Sequence, residues 1–102
     1  MESRRHKSIA KKLAAKFGAE YPPKKGPDIR TPRLVAEVEV DPAKFSEGKK
    51  QVQGQSTKKA YIVVEGKQVP KARLTTKGTG VGVMKADGTA AKRARAPRSR
   101  TK

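Results

Sequence analysis

The strictest alternation of apolar and polar positions runs from Leu34 to Val40. Leu34, Ala36, Val38 and Val40 share one face of an extended strand, and Val35, Glu37 and Glu39 share the other. Just before it, Thr31-Pro32-Arg33 supplies turn chemistry. Asp28-Ile29-Arg30 is therefore expected to fold back as an antiparallel strand, laying Asp28 opposite Ala36 or Glu37. The N-terminal segment has a different period: Ile9, Leu13 and Phe17 recur every fourth residue with Ala10 and Ala14 beside them. That spacing predicts a helix over Glu2–Phe17, ended by Gly18. Ala19–Tyr21 reads as a short strand interrupted by Pro22-Pro23.

Beyond Val40, Asp41 is a good N-cap and Pro42 a good first helical residue, which predicts a helix running to Gln53 and stopped by Gly54. Phe45 and Val52 would anchor this helix to the sheet, and Gly48 weakens it. Ala60–Glu65 is β-branched and nearly all apolar, the pattern of a central strand covered on both faces. Val69–Thr76 reads as a short helix with Pro70 in its first turn, and Gly80–Lys85 as the last strand, closed by the turn pair Asp87-Gly88. The order predicts an α/β domain over residues 1–88, a small mixed β-sheet flanked by helices. From Thr89 to Lys102 there is no acid and no large apolar residue, while Lys92, Arg93, Arg95, Arg98, Arg100 and Lys102 accumulate. This segment is expected to be a disordered basic tail.

Charge changes the picture most. Against 26 Lys and Arg stand 9 Asp and Glu, a formal net charge of +17 on 102 residues. Such a surface draws polyanions, so nucleic acid, DNA first, is the expected partner, with an anionic membrane surface second. No apolar run approaches the ~20 residues of a membrane span, and the expected location is cytoplasmic. Homodimerisation is left open. With no Cys and one His, any metal would be held by oxygens. The basic face of the first helix (Lys7, Lys11, Lys12, Lys16) reads equally as solvation or as phosphate contact. Gly78, Gly80 and Gly82 are not a phosphate loop, because no helix follows them and the GK[ST] ending is absent.

Against that basic background, Asp28, Glu37 and Glu39 would meet on one patch. A solvated strand face explains Glu37 and Glu39 alone. A third acid beside them favours a hard divalent cation such as Mg²⁺ or Mn²⁺ between the carboxylates. Pro27-Asp28 followed by Glu37-Val38-Glu39 on a hydrophobic strand resembles the PD-(D/E)XK nuclease superfamily, with Glu39 in the usual Lys position. The resemblance implies a restriction endonuclease-like core and a Mg²⁺-dependent endonuclease. Asp28 and Glu37, with the Val38 carbonyl, would hold the metal, and Glu39 would act as base, water-orienting group or second-metal ligand. It also implies a helical glutamine at the site, for which Gln51 is the best match, a surface glutamine being the alternative. Lys49 or Lys50 would stand in for the absent Lys, and Glu2 matches the acid that such nucleases carry on their first helix. Lys24, Lys25, Lys49, Lys50, Arg93, Arg95 and Arg98 are the expected nucleic-acid contacts. Two other classes compete: a non-catalytic nucleic-acid-binding module that keeps the fold, and a basic architectural protein, which would give the acids no reason to converge.

Overall fold

The computed structural model describes residues 4–21, 28–53 and 59–94, with the backbone alone at residues 51 and 53. Helix α1 (Arg4–Phe17) buries Ala10, Leu13 and Ala14, with Ile9 and Phe17 flanking them half-buried. The expected stripe is thus present but centred on the alanines, which let the helix approach the sheet closely. Gly18 takes a left-handed φ of 73°, and the Ala19 N–H closes the helix on the Ala14 carbonyl at 2.8 Å.

The chain then forms β1 (Ile29–Arg30), β2 (Leu34–Val38), α2 (Phe45–Gln53), β3 (Lys59–Val64), α3 (Val69–Thr76), β4 (Gly82–Lys85) and β5 (Ala90–Lys92). Short 3-10 turns, Pro42–Lys44 and Gly66–Gln68, lead into α2 and α3. Asp41 caps the first as expected, its Oδ1 accepting from the Ala43 N–H at 3.0 Å. The sheet order is β1-β2-β3-β4-β5. Its centre, β2-β3-β4, is parallel, and antiparallel β1 and β5 lie at the two edges.

Two consecutive crossovers of one hand put α2 and α3 on the same face. There Phe45, Val52 and Ala72 pack on Val35, Ile62, Val64, Val81 and Val83. On the opposite face Ala10 and Leu13 of α1 pack on Ile29, Ala36, Val38, Tyr61, Val63 and Met84. β3 is buried from Ala60 to Val64, which is why that run is apolar at every position. The α/β reading, with its small mixed sheet and flanking helices, holds.

Two expectations are corrected. Ala19–Tyr21 forms no strand; Ala19 and Tyr21 instead pack half-buried against the α1 side of the core, and the sheet starts at β1. The ordered chain also does not stop at residue 88, and Gly80–Lys85 does not hold the last strand. Asp87-Gly88 is a hairpin turn: Gly88 has φ 91°, its N–H donates to the Lys85 carbonyl, and Lys85 N–H donates to the Thr89 carbonyl at 2.8 Å. Thr89 donates its N–H to Asp87 Oδ1 at 2.9 Å, and hydrogen bonding from the Thr89 side chain, then from this N–H, lowers the pKa of that carboxyl. The chain returns as β5, with one extra residue bulged between Val83↔Lys92 and Met84↔Ala90. Lys92, expected in a disordered tail, donates from Nζ to the Thr76 carbonyl and Oγ1, both at 3.0 Å, and Ala94 is buried. Arg95 to Lys102 lie outside the described residues.

Candidate functional site

The pairing Ile29↔Ala36 sets Asp28 against Glu37, the register expected from the Thr31-Pro32-Arg33 turn. Thr31 fixes that turn through its Oγ1, which accepts from the N–H groups of Arg33 and Leu34. At the mouth of the hairpin, Glu37 Oε1 accepts from the Asp28 N–H at 3.1 Å. Reciprocally, Asp28 Oδ2 accepts from the Val38 N–H at 3.0 Å. The two carboxylates thus bolt the start of β1 to the end of β2, Glu37 through the Asp28 N–H and Asp28 through the Val38 N–H. Asp28 is 9% exposed, and a carboxylate so buried needs these donors. His6 Nε2 lies 3.1 Å from the same Oδ2. Sequence reasoning passed over His6 as a lone histidine. The signal was its place on the apolar side of α1, one turn before Ala10.

Glu39 follows directly on β2. Its N–H donates to the Val63 carbonyl at 2.9 Å, and its side chain is turned under α2. A Cβ added at Gly48 would fall 2.8 Å from Glu39 Cγ and 2.9 Å from Oε2. Gly48 therefore makes room for Glu39, and that close approach offsets its poor helix propensity. Burial pushes the Glu39 carboxyl up to about 7; His6 pulls it down, Asp28 pushes it up, Lys44 pulls it down and Glu47 pushes it up. The lysine whose charge bears on Glu39 is thus Lys44. Lys49 and Lys50, expected in that role, lie further along α2, half-buried and exposed respectively.

These residues gather at the carboxyl end of β2, the end of an open parallel sheet where ligands bind by rule. α1 contributes there too, since Arg5 pairs with Glu65, just past β3, at 3.0 Å. The neighbourhood of Asp28, Glu37 and Glu39 was legible; their orientation was not. Their oxygens are hard donors of the kind Mg²⁺ seeks. As arranged, however, Asp28 Oδ2 and Glu37 Oε1 are engaged by backbone N–H groups, and Glu39 lies against Gly48 of α2. Among the described residues, no group of three or more His, Cys, Asp or Glu side chains is placed to hold a metal ion. The set in this arrangement does not fit Mg²⁺ or Mn²⁺. The Val38 N–H faces Asp28, and by strand geometry the Val38 carbonyl faces the same side.

Of the remaining candidates, Glu2, Lys24, Lys25, Arg95, Arg98 and the Gln51 side chain lie outside what the structure describes. Arg93 is exposed beyond β5, at the sheet edge opposite Asp28. No protein-family model, curated protein or solved structure matches the chain. The resemblance to the nuclease superfamily therefore rests on the residues themselves.

Proposed function

We propose that the protein binds the phosphodiester backbone of nucleic acid, DNA in the first instance. The observation that carries this reading is the excess of outward cations, 26 Lys and Arg against 9 acids. Of the acids, Asp28, Glu37 and Glu39 lie in a buried or half-buried centre and Glu65 pairs with Arg5, while Glu20, Asp41, Glu47 and Asp87 are exposed. The cations are turned outward: Arg4, Lys7, Lys11, Lys12 and Lys16 of α1 are all exposed. A phosphate array relieves the mutual repulsion of such a surface and releases its own condensed counterions on contact. Binding should be nearly indifferent to sequence and fall steeply between about 50 and 200 mM salt. Fluorescence anisotropy of short duplexes of unrelated sequence, in chelator, tests it. Absence of binding at the low-salt end overturns it.

Metal-dependent cleavage by the acidic centre is the second reading, favoured by the grouping of Asp28, Glu37 and Glu39 at the carboxyl end of β2. It requires Asp28 and Glu37 to exchange their backbone partners for a cation. Plasmid, branched and single-stranded DNA incubated with Mg²⁺ or Mn²⁺ decides it. Cleavage abolished by both Asp28→Ala and Glu37→Ala supports a nuclease. Binding without cleavage leaves a module that keeps the fold alone.

A further inference from the structure

At the sheet edge far from Asp28, α3 and the end of β5 enclose a cleft of about 590 Å³ lined by Pro70, Arg73, Leu74, Lys77, Gly78, Gly80, Lys92 and Arg93. Pro70, Arg73 and Leu74 follow the spacing i, i+3, i+4, so they form one stripe of α3, and Lys77 follows just past the end of the helix. The opposite side of the helix buries Ala72 and Thr76. None of the lining residues is acidic or aromatic. Leu74, beside three outward cations, is 74% exposed, the one large apolar side chain so exposed among the described residues.

The cations divide into two kinds. The Lys92 ammonium meets the Thr76 carbonyl at the C-terminal end of α3, where the helix dipole is negative. It offsets the feature of this cleft that would repel an anion. Arg73, Lys77 and Arg93 are exposed, and their charge faces solvent at the rim. Gly78 and Gly80, with φ of 78° and 82°, carry the chain around the cleft without side chains to fill it.

We infer that this cleft is a second docking surface for the nucleic-acid phosphodiester backbone, with Arg73, Lys77 and Arg93 meeting phosphates and Leu74 and Pro70 lying against sugars. The inference rests on the proposed nucleic-acid binding and places part of it at a site remote from the acidic centre. Without aromatic side chains the cleft has no platform on which to stack bases, so it contributes affinity and not sequence preference. A single exposed leucine is too little apolar surface for insertion into a bilayer, which disfavours an anionic membrane as the occupant.

The test is charge reversal of the cleft, Arg73→Glu with Lys77→Glu and Arg93→Glu. The control reverses the same number of exposed cations elsewhere: Arg33→Glu, Lys59→Glu and Lys67→Glu. Anisotropy titrations with duplex and single-stranded DNA in chelator across a salt series give Kd and its salt slope. The cleft variant should bind duplex about tenfold or more weaker, with a slope shallower by about 0.9 for each phosphate it no longer neutralises, and the control should weaken by about threefold or less. Equal weakening in the two variants, or an unchanged cleft variant, overturns the inference while leaving nucleic-acid binding in place. If wild type binds no nucleic acid, the underlying reading fails instead. Phosphatidylserine vesicles form the last arm: vesicle binding abolished in the cleft variant with DNA binding intact would assign the cleft to membranes and sink the proposal. Should the triple Glu variant fail to fold by circular dichroism, the Gln versions of the three substitutions carry the same comparison.

Discussion

The Glu39 carboxyl ionises near 4.5 when exposed and near 7 in the folded protein. Between those values the folded state holds its proton more tightly than the unfolded chain does, so in metal-free protein stability should fall as pH rises and level off above about 7. Glu39→Gln removes that slope and should gain about 1–3 kcal/mol relative to wild type at pH 8, with little difference at pH 4. Urea melts across pH check it; a parallel slope in both proteins would show that Glu39 is not the group responsible. Gly48→Ala offers an independent approach to the same carboxylate. The added methyl raises helix propensity by about 0.8–1 kcal/mol but falls 2.8 Å from Glu39 Cγ, too close for both to stay. It should evict the carboxyl toward water and flatten the pH slope as Glu39→Gln does. At this scale the sequence was a partial guide. Alternation and a turn signal brought Asp28, Glu37 and Glu39 together. That backbone N–H groups would claim two of them depends on side-chain torsions, which leave no trace in spacing.

Among the elements, β5 was the one that sequence reasoning missed, for a physical reason. Ala90-Ala91-Lys92 has little strand propensity, and the Asp87-Gly88 turn reads as a hairpin only if a strand follows. The signal was upstream, at Gly82. A Cβ there would meet the Lys92 carbonyl oxygen at 2.5 Å, the Ala94 nitrogen at 2.6 Å and the Tyr61 ring at 2.6 Å. β4 carries a glycine because the chain around β5 and the Tyr61 ring fill the space a Cβ would need. Gly82→Ala should therefore cost about 2–3 kcal/mol, lowering Tm by roughly 10–20 °C. Hydrogen exchange should show residues 90–94 losing protection first; a variant as stable as wild type would mean that β5 is not packed on β4.

For the molecule as a whole, the domain and the basic extension divide later than composition suggests. Residues 89–94 carry the Lys92 contact with α3 and buried Ala94. Residues 95–102 contribute Arg95, Arg98, Arg100 and Lys102 and no apolar side chain larger than proline. Two truncations separate fold from charge. Ending the chain after Ala94 should leave Tm within about 2 °C while weakening duplex binding equally on unrelated sequences and making the salt slope shallower. Ending it after Gly88 should lower Tm markedly, because α3 is left without its cap and β4 without its neighbour. Thermal melts and anisotropy on the same pair of proteins check both halves. A Gly88 truncation that melts with wild type would return the boundary to residue 88. The overall α/β architecture was legible because the long periodic segments are unambiguous, whereas short edge strands take their conformation from whatever they pack on.

Those edges have one more consequence. β1 is two residues long, and β5 is three residues long and interrupted by a bulge. Neither presents the long, flat row of unpaired amides on which a second chain could add itself strand by strand. A polyanion that collects many copies raises their local concentration and screens the repulsion that otherwise holds them apart. Crowded in this way, the chains meet with no long pairing template at either edge of the described sheet, so the assembly should dissolve again when salt strips the nucleic acid away.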